Sequence, residues 1–129
     1  MPIYRLCEDI IFPPPELAAE SGVLAVGGDL SPRRLVEAYR NGIFPWYSDD
    51  DPIIWWSPDP RYVLFPHELR VSRSMRQIMK RAVFTITFDG NFRGVIEACR
   101  TNRRRHEKGT CITDDMLEAY TELHELGLA

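Results

Sequence analysis

The stretch that most limits what this chain can fold into is GIFPWYSDDDPIIWWSPDPR, residues 42–61. It holds all three tryptophans, four of the ten prolines (Pro45, Pro52, Pro58 and Pro60) and four aspartates. Proline restricts φ and carries no N–H, so this segment must run as turns and extended chain. Large rings on so stiff a frame either plug the side of a core or line a rigid pocket. Asp49, Asp50 and Asp51 before Pro52 have the composition of a polar turn tip. No further ligands follow them in a metal-loop pattern.

Around this segment the chain alternates between strand and helix signals. Phe12 to Pro15 reads as polyproline II leading into a short helical stretch at 16–19. Val23 to Val26 is a buried strand stopped by Gly27-Gly28. Ser31 caps a helix that has Pro32 at its first position, and Gly42 ends it. Further on, Tyr62–Phe65 and Val83–Phe88 read as strands, the second strongly β-branched. A helix capped by Ser72 runs to Arg81 and buries Met75, Ile78 and Met79. Asp89 caps a helix with Phe92, Val95, Ile96 and Cys99 inward. Thr113 caps a last helix carrying Met116, Tyr120, Leu123 and Leu126 at helical spacing. The class is α/β (α+β). The second part is a half-built sheet whose apolar faces need more chain or a partner to cover them.

The net charge of −3 hides a sharp division. Residues 1–60 carry four basic and ten acidic side chains, residues 61–108 twelve and four, and residues 109–129 none and five. On the helix from Ser72, Arg73, Arg76 and Lys80 form one stripe, which Arg81 extends. Arg100, Arg103, Arg104, Arg105 and Lys108 form a second cluster in a loop. Such rows suit the phosphates of a nucleic acid; the other reading is a solvated surface with clustered charge. No zinc finger, recognition helix or RNP-like signature accompanies them.

Other function classes find little support. With 44% hydrophobic and 27% charged residues, the 129-residue chain is that of a soluble globular protein, and no apolar run is long enough to cross a bilayer. Its start, MPIYRLCEDII, lacks the pattern of a signal peptide. Cys7, Cys99 and Cys111 are odd in number, lack metal-ligand spacing and read as reduced cytosolic thiols. The scattered His67, His106 and His124 suggest no metal. Ser57 and Cys111 have no histidine at a spacing that marks a nucleophile.

The blocks GVLAVGGDLSP, EAYRNGIFPWYS, DPIIWWSPDPRYVLFP, VSRSM and GTCITDDMLEAYTELHELG, in that order, resemble the leucyl/phenylalanyl-tRNA–protein transferases. The resemblance covers nearly the whole chain. It implies transfer of leucine or phenylalanine from its tRNA to proteins with N-terminal arginine or lysine, which marks them for degradation in the cytoplasm. It also implies a small N-terminal α/β domain, here residues 1–60, and the first part of a GNAT-like aminoacyltransferase domain, here residues 61–129. The partners are then aminoacyl-tRNA and acceptor protein. No metal, cofactor or membrane is expected.

By the same resemblance Trp46 walls the site for the terminal adenosine of the donor; the stripe Arg73, Arg76, Lys80 and Arg81, read from its charge and spacing, is then expected to bind tRNA. One of Trp55 and Trp56 lies in the core and the other between domains. Where the family reads GTWIT this chain has Cys111, a departure in the substrate pocket. The catalytic residues are expected beyond Ala129, so the 129 residues alone are expected to be inactive. The other reading is a non-catalytic tRNA-binding fragment or scaffold.

Overall fold

A computed structural model describes residues 2–102 and 112–129. It divides into two compact units, Met1–Asp59 together with Phe92–Ala129, and Pro60–Asn91. The first unit is built on a mixed four-stranded sheet. β1 (Tyr4–Leu6), β2 (Val23–Gly27), β3 (Phe44–Pro45) and β4 (Ile54–Trp56) lie in the order β1-β2-β4-β3. β1 runs parallel to β2, pairing Tyr4 with Ala25, whereas β4 is antiparallel to both of its neighbours. The β2–β4 register shifts between Val23 and Ala25, where the extra residue Leu24 is taken up by a bulge. With helices packed on this sheet, the expected α/β class is observed.

Helix α1 (Pro32–Arg40) starts where Ser31 Oγ accepts the Arg34 N–H at 3.4 Å, satisfying a donor that the helix itself cannot. It stops at Gly42, whose φ of +70° suits a residue without Cβ. A second glycine is required on packing grounds. At Gly22 (φ +92°) a Cβ would lie 2.9 Å from Pro58 Cβ, where the chain of β4 passes on. Arg34 is fully buried; its guanidinium donates to the carbonyls of Cys7 and Glu8 and to Asp29 Oδ1. It thus ties the end of β1 to the turn that precedes α1.

Helices α3 (Phe92–Thr101) and α4 (Asp114–Glu125) complete the first unit. Leu123 and Ala119 of α4 join Leu24, Ala25, Leu35, Ala38, Ile43 and Trp55 in one core. α3 is fastened to α4 by polar contacts: Arg93 donates two hydrogen bonds to the Glu118 carboxylate, Arg100 pairs with Asp114, and the Phe92 and His124 rings stack 4.4 Å apart. α3 begins at Phe92, so Asp89 (φ +57°) precedes the helix and does not cap it. Val95 and Cys99, expected inward, are exposed.

The second unit holds α2 (Arg73–Lys80), capped by Ser72 Oγ accepting the Met75 N–H at 3.2 Å. Here two expectations fail. Tyr62–Phe65 and Val83–Phe88 form no strand, and Met75, Ile78 and Met79 are not buried but 50%, 41% and 62% exposed. A strand is stable only with a neighbour to bond its backbone and an apolar layer on its face, and this unit supplies neither. The helical stretch expected at 16–19 is a single 3-10 turn at Pro15–Leu17.

Candidate functional site

The tryptophans divide according to the alternation of extended chain. Trp55 is fully buried, donates its indole N–H to Gly27 O at 2.8 Å, and meets the Phe12 ring edge-on at 4.9 Å. Trp56 lies on the other side of β4 and donates its indole N–H to the Trp46 carbonyl at 2.7 Å. Trp46 follows directly on β3. Its N–H donates to Ile54 O at 2.9 Å, while its side chain stands 52% exposed. A half-exposed indole on a backbone pinned at both polar groups is a flat apolar wall facing solvent. Such a surface can take a base by stacking, which needs no sequence readout.

The next residue turns the other way. Tyr47 is buried, and its hydroxyl accepts from Thr113 Oγ1 at 3.4 Å. Thr113 is the N-cap of α4 and also accepts the Met116 N–H at 3.2 Å. Cys111 lies outside the described residues, but Thr113 follows it by two positions. The flanks of the two candidate donor residues, Trp46 and Cys111, are thereby held together.

Asp49 and Asp51 lie in a turn closed by the Asp51 N–H donating to Ser48 O, as their composition indicated. With Tyr47, Thr113, Asp114 and Asp115 they line an open acidic cleft of about 430 Å³. A more apolar cleft, about 490 Å³, lies between α1 and α4 and is lined by Val36, Tyr39, Tyr120 and Leu123. There the Tyr39 and Tyr120 hydroxyls lie 2.6 Å apart. Burial, and then the hydrogen bond with Tyr39, push the Tyr120 phenol far above its usual range. Among the described residues no group of three or more His, Cys, Asp or Glu is placed to hold a metal ion. No helix among them is long and apolar enough to cross a membrane.

In the second unit Arg73, Arg76, Lys80 and Arg81 are all exposed, and none forms an ion pair with a described residue. Four cations within nine residues, none neutralised by a described residue, form a positively charged stripe of the kind that suits a row of phosphates. Of the other basic cluster, Arg100 is held by Asp114, while Arg103, Arg104, Arg105 and Lys108 lie outside the described residues. Sequence reading missed the buried Arg34 and the Tyr39–Tyr120 pair. Asp29, five residues before Arg34, was the one available signal for the former. Nothing local announces the latter.

Residues 28–59 match the family model described as the leucyl/phenylalanyl-tRNA protein transferase N-terminal domain, and residues 63–129 that of leucyl/phenylalanyl-tRNA protein transferase. A leucyl/phenylalanyl-tRNA–protein transferase of Syntrophus aciditrophicus is 60% identical over 129 residues, which are all of this chain and 54% of the relative. One from Myxococcus xanthus is 54% identical over 131 residues, covering all of this chain and 56% of the relative. One from Flavobacterium johnsoniae is 50% identical over 127 residues, 98% of this chain and 60% of the relative. The chain spans about half the length of the curated relatives it matches. With family models matching on both sides of the tryptophan-rich stretch and relatives aligned from end to end, this chain belongs to the leucyl/phenylalanyl-tRNA–protein transferase family.

Proposed function

We propose that these residues form the donor-binding part of an aminoacyltransferase. It moves leucine or phenylalanine from aminoacyl-tRNA to the N-terminal arginine or lysine of an acceptor protein in the cytoplasm, marking that protein for degradation. The observation that carries this reading is the 60% identity, over all 129 residues, to a relative bearing that name. The chemistry asks for little beyond placement. The aminoacyl ester is already activated. The acceptor amine attacks its carbonyl, the bond to the 3′ oxygen of the tRNA breaks, and the proton lost by the amine ends on that oxygen, which departs as the 3′ hydroxyl. Rate then depends on holding two substrates in attack geometry and on stabilising the transient oxyanion.

Within this reading Trp46 stacks on the terminal adenosine, Cys111 stands where the GTWIT resemblance implies an aromatic wall, and Arg73, Arg76, Lys80 and Arg81 follow the tRNA backbone. A boundary near residue 60 is supported by the family models, which part between residues 59 and 63, and the resemblance implies that the part from residue 61 is GNAT-like. The exposed apolar residues of 62–65 and 83–88 would find partners in such a domain.

The test is to incubate the full-length gene product with radiolabelled Leu-tRNA and a protein bearing N-terminal arginine. Label is expected in the acceptor and not in one beginning with a residue other than arginine or lysine. Tight tRNA binding with no label transferred would favour a non-catalytic tRNA binder.

A further inference from the structure

The strand before Trp46 is only two residues long, and Pro45 has no N–H to give to the ladder. An edge so short does little to hold the residue after it. Trp46 is nevertheless held at both backbone groups, by Ile54 O at its N–H and by the Trp56 indole at its carbonyl. The second bond is no part of the sheet ladder. Trp56 stands opposite Phe44 in the register, and Trp46 lies two residues beyond Phe44. That diagonal position is within reach of a long side chain across an antiparallel pair. A phenylalanine at 56 would fill similar space but could not donate.

We propose that Trp56 is a positioning residue of the donor site: its indole N–H fixes the backbone from which the half-exposed Trp46 ring is presented to the aminoacyl-adenosine end of the tRNA. This rests on the reading of Trp46 as the adenosine-facing wall. A wall already ordered before binding avoids the loss of conformational freedom that a loose loop would suffer when the ligand arrives. Trp55 serves differently, because its N–H is spent inside the core on Gly27 O.

The test is a double-mutant cycle in the full-length gene product, with Trp46→Ala, Trp56→Phe and both. Dissociation constants for tritiated puromycin, an aminoacyl-adenosine mimic, are read by equilibrium dialysis. Trp56→Phe is expected to weaken binding about three- to tenfold, the worth of one hydrogen bond. On the Trp46→Ala background the same substitution should have no further effect, since its influence passes through that ring. Equal weakening on both backgrounds would overturn the inference, because a general loosening of the sheet acts whether or not Trp46 is present. So would unchanged binding in Trp56→Phe when Trp46→Ala binds poorly. If the parent does not bind puromycin, or Trp46→Ala binds it as the parent does, the donor-wall reading itself fails and the inference falls with it.

Discussion

The hydroxyls of Tyr47 and Thr113, 66 residues apart in the chain, meet at 3.4 Å in the interior of the first unit. One residue before Tyr47 stands the exposed Trp46, and two before Thr113 stands Cys111. The hydrogen bond therefore joins the tryptophan-rich segment to the start of α4, while the same threonine caps that helix.

Thr113→Val keeps the shape of the side chain but removes both the cap and the tie to Tyr47. It is expected to cost about 1–2 kcal/mol of stability, whereas Thr113→Ser should keep most of it. Urea denaturation of the two variants decides the matter. Equal midpoints for valine and serine would mean that the hydroxyl contributes nothing.

The exposed stripe on α2 should bind tRNA through phosphates. Lys80→Ala combined with Arg81→Ala is expected to weaken binding of Leu-tRNA and of a non-cognate tRNA alike. It should also flatten the dependence of affinity on salt, with a slope reduced by about 0.9 for each duplex phosphate no longer neutralised. Filter binding at several salt concentrations measures both. A loss confined to one tRNA species would place base contacts in this stripe.

Cys111→Trp introduces the tryptophan that the GTWIT resemblance implies and, if Cys111 lines the proposed donor pocket, should tighten binding of puromycin. The competing effect is overpacking, worth about 1–3 kcal/mol of stability if neighbours already occupy the space. Affinity and thermal unfolding measured on the same variant separate the two. Destabilisation without a gain in affinity would show the pocket to be shaped around the smaller side chain.

The Tyr39–Tyr120 pair makes stability sensitive to alkali. The neutral phenol of Tyr120 is favoured in the folded state, which holds its pKa above the usual 10.0 through burial and the Tyr39 hydrogen bond. Its contribution is therefore fully present below that value and is lost as pH rises beyond it, because ionisation then favours the unfolded chain. Tyr120→Phe should lower stability at neutral pH by about 0.5–1.5 kcal/mol. It should also reduce the loss between neutral pH and about pH 11, where phenols ionise. Parallel pH profiles for parent and variant would remove Tyr120 from the alkaline transition.

The sequence by itself determined what depends on neighbours a few residues away. Ser31, Ser72 and Thr113 each accept the N–H three residues on, as helix caps must, because the geometry of a first turn is local. The opposed fates of Trp55 and Trp56 follow as directly from the two-residue period of extended chain. The blocks around FPW and WWSPDPR likewise carried the family on their own. Only the tertiary structure decided what depends on distant partners. Val83–Phe88 has every local mark of a strand, yet remains unpaired because β structure needs a neighbouring edge that its own residues cannot provide. The same holds for the candidate site. That Trp46 would be exposed on a frame held by Trp56, and that Tyr47 would reach Thr113, are matters of register and packing between elements, for which no pattern in a single segment can stand.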